Sequence, residues 1–169
     1  MSAILVPLTR GQSAIIDEAD LDIVSTFKWN CSSHGYANTR LNNKVVYLHR
    51  FLLGAPKGTI VDHINRNKLD NRRSNLRFVT PKQSSWNTGP KRKHNIYKGV
   101  CWNGDCDKWM AQCNVEGQTS RFLGLFDTKE EAAQAYDCAA ILEQGEFAVL
   151  NFERENYEKR FYYVYNPKS

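Results

Sequence analysis

Short apolar runs broken by turn residues dominate the first 48 positions. Ile4-Leu5-Val6-Pro7-Leu8 and Ala14-Ile15-Ile16 alternate around Gly11-Gln12 and predict two paired strands. The runs 35–41 and 44–48 predict a hairpin turning at Asn42-Asn43, because asparagine tolerates the left-handed backbone that a two-residue turn demands. Leu48 to Leu53 reads as a short helix stopped by Gly54, and Ile60-Val61-Asp62-His63 as a strand. An eleven-residue polar stretch, Ile64 to Ser74, separates that strand from a second one at Leu76–Thr80. Thr80-Pro81-Lys82-Gln83 then opens a helix: Thr80 suits the N-cap, Pro81 the first turn, and Gln83 completes a capping box. Thr88-Gly89-Pro90 stops it.

Residues 89–95 read as a basic linker. Three short strands follow, at about 97–102, 108–115 and 120–126, with turns at Asn103-Gly104 and Glu116-Gly117. One helix closes this part, capped by Thr128 with Glu131 and ended by Gly145. Its expected apolar stripe is Ala132, Ala135, Tyr136, Ala139 and Leu142, small enough to lie close on a sheet. The pattern predicts an α+β chain: a unit over 1–88, the linker 89–95, a three-stranded antiparallel sheet on one helix over 96–152, and an extension over 153–169 whose aromatic run Phe161-Tyr162-Tyr163-Val164-Tyr165 has no assigned role.

The chain has 169 residues and a net charge of +5, which suggests an anionic partner, with nucleic acid ahead of a membrane surface. The charge is focused. Between Asp62 and Lys93 stand nine bases (Arg66, Lys68, Arg72, Arg73, Arg77, Lys82, Lys91, Arg92, Lys93) against two acids, leaving +7, whereas 127–160 carries −5. Five cysteines form no C-x-x-C pair, and the irregular spacing of Cys101, Cys106 and Cys113 argues for free thiols over zinc. There is no leader-like or membrane-spanning run, so the expected location is the cytosol.

The segment 61–87 orders strand, polar loop, strand and capped helix, with Asp62 and His63 at the first strand's end, Asn75 opening the second, and Ser84 and Asn87 one turn apart. Hydrolysis of a phosphodiester needs a base for water, a cation for the developing charge, and a group that fixes the base. His63 suits the base, since imidazole titrates near neutrality. Asp62 suits a hard cation that keeps much of its hydration. Asn75 can bond the His63 ring or clamp the loop. Neighbours in a strand point to opposite faces, so Asp62 and His63 reach one phosphate only where the strand ends or bulges. His49, beside Arg50 in the short helix, reads as a packing or structural residue ahead of a phosphate contact.

The segments Tyr47-Leu48-His49-Arg50 and Val61 through Arg77 resemble the HNH homing endonucleases of phages, a match running from about residue 4 to residue 87. The resemblance implies a ββα-metal fold that hydrolyses double-stranded DNA with one divalent cation, Mg²⁺ or Mn²⁺, and no small-molecule cofactor. It implies His63 as general base, Asp62 as metal ligand and Asn75 as the motif's central asparagine. The second ligand, an Asn or His nine positions later, is here Ser84. Three readings follow: Ser84 binds metal weakly or through water, Asn87 substitutes, or the chain binds DNA with an impaired site.

Residues 96–152 resemble the APETALA/ethylene-response-factor DNA-binding domain through Tyr97-Lys98-Gly99-Val100, Lys108-Trp109-x-Ala111, Leu123-Gly124-x-Phe126-Asp127-Thr128, the helix Glu130–Ala140 and Leu150-Asn151-Phe152. That resemblance implies a sheet in the major groove, with Lys98, Trp102, Lys108, Trp109, Asn114 and Arg121 facing DNA. Strand alternation by itself puts Lys108, Met110, Gln112 and Asn114 on one face and Trp109, Ala111, Cys113 and Val115 on the other. Two other classes stand against a targeted nuclease: a DNA-binding regulator on a nuclease scaffold, and a protein-interaction module with no salt-dependent affinity for DNA.

Overall fold

A computed structural model describes residues 2–90, 96–115 and 118–157. The basic run Lys91-Arg92-Lys93 and the aromatic run at 161–165 lie outside the described residues, as does the turn at Glu116-Gly117. The chain divides into two compact units, Met1–Ser84 and Ser85–Ser169.

The first unit opens with β1 (Ala3–Pro7) paired antiparallel to β2 (Ser13–Asp17). A short helix, α1 (Leu21–Ser25), leads to β3 (Asn30–Cys31), β4 (Ala37–Leu41) and β5 (Lys44–Tyr47), which form a three-stranded sheet. Asn42 and Asn43 both take positive φ in the β4–β5 turn, as the sequence predicts. Next come α2 (Leu48–Leu52), β6 (Ile60–His63), β7 (Leu76–Val79) and α3 (Pro81–Trp86). The core gathers Val6, Leu8, Ala14, Ile16, Val24, Trp29, Ala37, Leu48 and Leu52, drawn from β1, β2, α1, β4, α2 and the connections beside them. Trp29 is buried with its indole N–H donating to the Val24 carbonyl at 2.9 Å, so its bulk fills the core without stranding a donor.

The polar loop between β6 and β7 is stitched to the core sheet. Ile15 donates to the Leu69 carbonyl and accepts from the Asn71 amide, both at 2.7 Å, making a parallel bridge from β2. Arg73 donates its backbone amide to Asp17 at 2.8 Å and its guanidinium to both oxygens of Asp20. These contacts, 50 or more residues apart in sequence, hold in place a segment with almost no apolar side chains.

In the second unit β8 (Val100–Asn103), β9 (Lys108–Val115) and β10 (Gln118–Phe126) form one antiparallel sheet with β9 in the centre. Helix α4 (Lys129–Gln144) carries the expected capping box at Thr128 and Glu131. Its buried face is Ala132, Ala133, Tyr136, Asp137, Ala140 and Gln144. The expected stripe is therefore rotated: Leu142 is 62% exposed, because the polar side chains of Asp137 and Gln144 take inward positions that an apolar pattern cannot reveal. Gln144 donates to the Asn114 carbonyl at 2.9 Å. Asp137 accepts from the amides of Asn151 and Phe152, from the Asn151 side chain, and from the Tyr157 hydroxyl at 2.8 Å. Burial pushes this carboxyl above the usual carboxylate range against the pull of those donors. Gly99, at φ +75, is required: a Cβ there would stand 2.0 Å from Cδ2 of Tyr136 and 2.6 Å from the Gln112 carbonyl oxygen.

Candidate functional site

β6 ends at His63, where the chain turns through Ile64 and Asn65 to Arg66 at φ +64. Asp62 faces Arg77 across the ladder and His63 faces Leu76. Both residues belong to the paired part of β6, with no register shift, and the strand ends directly after His63.

Asn71, absent from the sequence-derived set, meets the His63 ring. Its Oδ1 lies 3.4 Å from Nε2 of His63, while its own Nδ2 donates to the Leu69 carbonyl at 3.0 Å. The second bond fixes the amide, so an oxygen faces the imidazole. An oxygen only accepts, so this arrangement favours the tautomer with the proton on Nε2 and the lone pair on Nδ1. Burial depresses the His63 pKa, opposed by the Asn71 contact and by the charges of Asp62 and Asp70. The ring is 4% exposed, more covered than an open catalytic cleft would leave it. Two aromatic rings flank it, Tyr36 at 6.0 Å and His49 at 5.1 Å between centroids, and Leu76 stands opposite in the ladder.

His49 is buried among Tyr36, Tyr47 and His63, stacked 22° from the Tyr47 plane. This is the packing role that the sequence favours. Burial lowers its pKa to about 4, with help from His63 and Arg50, so it is neutral at pH 7. Tyr36 titrates above its ordinary value, first from burial and then from the nearby charge of Asp62. Tyr36 does not stand out in sequence, because it sits in an ordinary turn, whereas Tyr47 opens the Tyr47-Leu48-His49-Arg50 segment.

Asn75 reaches the loop and not the imidazole. Its Oδ1 accepts from the Asn65 amide at 2.9 Å, and its Nδ2 donates to Asn65 Oδ1 at 2.9 Å and to the Asp70 carbonyl at 2.7 Å. Of the two roles open to it in sequence, the structure gives the clamp. Asp70, also unanticipated, accepts from Asn65 at 2.7 Å and takes a two-point grip from Arg72 at 2.8 and 2.6 Å. The Arg72 guanidinium holds that carboxyl below its usual range.

Asp62 carries Arg77 at 3.4 Å, with both side chains largely covered. Ser84 is half-buried on α3, and the buried Asn87 follows one turn later. The capping box of Thr80 and Gln83 that orients α3 is present at 2.8 and 3.2 Å. No group of three or more His, Cys, Asp or Glu is gathered for a metal among the described residues. A carboxylate and a hydroxyl are oxygen donors, a set suited to a hard divalent cation that keeps its own waters.

The basic residues of this unit divide by partner. Arg72, Arg73 and Arg77 engage Asp70, Asp20 and Asp62. Arg66 is exposed in the turn, and Lys82 is half-buried in the first turn of α3. Lys68 is exposed, with its Nζ donating to the His34 carbonyl at 3.0 Å and lying 4.6 Å above the Tyr36 ring.

The sheet of the second unit separates the six positions expected to face DNA. Cross-strand register puts Trp102 beside Trp109, on the side that α4 covers, and Arg121 beside Cys113, with its guanidinium on Glu143 at 3.0 Å. Trp109 packs against the core, and the two indoles meet edge to face at 5.1 Å. Lys108 bonds Asp127 at 2.9 Å, and the Lys98 ammonium donates to the Trp86 carbonyl. Of the six, Lys108 and Asn114 lie on the uncovered face, Lys108 half-buried and Asn114 exposed. That face is completed by Cys101, Met110, Gln112, Ser120, Phe122 and Leu125, with Ser120 donating to Gln112 at 2.8 Å and Phe122 61% exposed. Alternation along β9 signals it, but the residue shift between Phe122 and Gly124 in β10 is invisible in sequence.

Among the described residues no helix is long and apolar enough to cross a membrane. A family model described as HNH endonuclease matches residues 52–85, which span α2 to α3 and contain Asp62, His63, Asn75 and Ser84. An AP2-like ethylene-responsive transcription factor of Arabidopsis thaliana is 43% identical over 72 residues, 42% of this chain but only 14% of the plant protein. Protein 3.8 of Escherichia phage T7 is 37% identical over 94 residues, covering 55% of this chain and 76% of its own length. An uncharacterized HNH endonuclease of Acanthamoeba polyphaga mimivirus is 32% identical over 148 residues, 84% of this chain and 76% of the viral protein. A likeness that runs through three quarters of a viral endonuclease, with the family match lying on the hairpin and helix just described, makes this chain a member of the HNH endonuclease family.

Proposed function

We propose that the chain is a homing-type endonuclease that hydrolyses phosphodiester bonds of double-stranded DNA, guided by an APETALA/ethylene-response-factor-like second unit. HNH nucleases act on DNA and generally use a divalent metal ion. The observation that carries the mechanism is that Asp62 and His63 are adjacent at the end of β6, the carboxylate charge reaching the ring, with Asn71 at Nε2. His63 takes the proton of the attacking water at Nδ1, and its depressed pKa keeps that nitrogen unprotonated at neutral pH. Asp62 and Ser84, or Asn87 one turn on, would hold one cation, Mg²⁺ or Mn²⁺, which would supply charge neutralisation at the phosphate. Asn75 keeps the loop that carries Lys68 and Asn71 in place. In the second unit Gln112, Asn114, Ser120 and Phe122 line the DNA-facing side; amide side chains suit adenine edges and an aromatic face suits a thymine methyl.

Cleavage of supercoiled plasmid with Mg²⁺ or Mn²⁺ tests the nuclease reading. His63→Ala should abolish nicking, and Ser84→Asn should raise the rate of the parent. A His63→Ala chain that cuts as fast as its parent refutes the mechanism.

A second reading has specific support. Ser84 replaces the family's amide or imidazole ligand, Asp62 already faces Arg77, and little of His63 meets solvent. On this reading the chain binds DNA and its nuclease site is impaired. Salt-dependent binding with no scission by either the parent or Ser84→Asn would establish it.

A further inference from the structure

The turn at residues 32–36 is more elaborate than a connection between two short strands requires. Ser32 accepts the Gly35 amide at its carbonyl and the Tyr36 amide at its hydroxyl, both at 3.0 Å, and donates its own amide to the Tyr36 carbonyl at 2.9 Å. Gly35 takes φ +79, and a Cβ there would meet Cδ of Lys68 at 3.9 Å, so the lysine stem lies along the turn. The ammonium is gripped twice, by the His34 carbonyl at 3.0 Å and by the Tyr36 ring at 4.6 Å. That ring also touches His63, and the Lys68 charge is felt at His63, where it opposes protonation. A flexible, strongly hydrated side chain is thus held in one place beside the general base.

The kind of partner sets Lys68 apart. Arg72, Arg73 and Arg77 spend their charge on carboxylates of the same unit. A carbonyl dipole and an aromatic face orient an ammonium without neutralising it. A preorganised, uncompensated positive charge next to the base has the chemistry to meet an anionic phosphate.

We propose that Lys68 is a catalytic residue that contacts the scissile phosphate and stabilises its transition-state charge, with Tyr36 as its positioning residue. The inference rests on the nuclease reading above. The water oxygen bonds to phosphorus as the bond from phosphorus to the 3′-oxygen breaks. The water proton passes to Nδ1 of His63, and the departing oxygen takes a proton from solvent, leaving 3′-hydroxyl and 5′-phosphate ends. Lys68 transfers no proton; it lies against a non-bridging oxygen, where negative charge accumulates.

The test uses the full chain and two substrates, supercoiled plasmid and bis(p-nitrophenyl) phosphate, the latter offering one phosphate and no flanking backbone. The Ser84→Asn background is used if the parent is slow. Lys68→Met should lower kcat about 100-fold on both, while Lys57→Met, in an exposed loop away from the site, changes neither. Tyr36→Phe should stay within a few-fold of the parent. Tyr36→Leu should lose most of the rate, and adding it to Lys68→Met should cost little more. Binding to a 30-base-pair duplex in EDTA gives an arm free of turnover: Lys68→Met should reduce the salt slope by about one counterion. An unchanged salt slope overturns the phosphate contact. A reduced slope with unchanged kcat overturns the catalytic role and makes Lys68 an ordinary backbone contact. Absence of turnover in parent and Ser84→Asn alike sinks the nuclease reading and the catalytic role with it, while the slope still reports the contact.

Discussion

Replacing Asn75 by alanine separates a loop clamp from a catalytic contact. The side chain, 7% exposed, makes hydrogen bonds of 2.9, 2.9 and 2.7 Å to the Asn65 amide, Asn65 Oδ1 and the Asp70 carbonyl. Each such bond is worth roughly 0.5–1.5 kcal/mol net, and covered groups left without partners add to the loss. The sum is about 3 kcal/mol, roughly a 100-fold rise in the population of the opened loop. Amide hydrogen exchange read by peptide mass spectrometry on the DNA-free chain should register it. Peptides over 60–80 should exchange about 100-fold faster, and peptides over β8–β10 should be unchanged. Cleavage should fall with the protection, because Asn71 and Lys68 ride on the same loop. Asn75→Asp should be at least as damaging, since it keeps the acceptor for Asn65 but turns a second acceptor toward Asn65 Oδ1 and the Asp70 carbonyl. If Asn75→Ala abolishes cleavage while protection in the free protein stays within threefold, the side chain acts on substrate and the clamp argument is wrong.

Acid should weaken the first unit. His49 has its pKa lowered to about 4 against an unfolded value near 6.5. Between those values the unfolded chain binds a proton that the folded chain refuses, so stability falls as pH drops through the window, by on the order of 3 kcal/mol at most. Urea midpoints from pH 7 to 4.5 should show the fall, reduced in His49→Gln; equal slopes in parent and variant would exclude His49 as a source. Gly99→Ala should cost the second unit about 3–5 kcal/mol through overpacking and a left-handed backbone. Adding Tyr136→Leu should recover only part, because the Gln112 carbonyl also obstructs the new Cβ; full recovery or a neutral single variant would refute it.

Most of the elements and the whole capping chemistry were legible in sequence. Asn42-Asn43, Thr80 with Gln83, and Thr128 with Glu131 act locally, so spacing alone exposes them. The helix α1 and the two-residue β3 carry too little periodicity to register. At the candidate site Asp62 and His63 were visible because they adjoin one another at a strand end. Asn71, Tyr36 and Lys68 acquire their setting from contacts across distant segments, the bridge from Ile15 and the turn at 32–36. An asparagine among many, or a lysine in a basic run, gives no sign of such partners. The six sheet positions carried over by resemblance divide between two faces, which a resemblance does not reveal. Trp102, Trp109 and Arg121 register with the core side, whereas alternation along β9 places Lys108, Gln112 and Asn114 together on the other.

Asp137 sets where the second unit can be cut. Its carboxylate is enclosed, and one of its donors, the hydroxyl of Tyr157, comes from beyond the last sheet-and-helix contact. A chain trimmed at Phe152 would retain all three strands and α4, yet expose that anion's pocket and remove a neutralising bond. Moving this unit into another protein therefore requires carrying the short run through Tyr157, a requirement that similarity to the plant factors alone would not suggest.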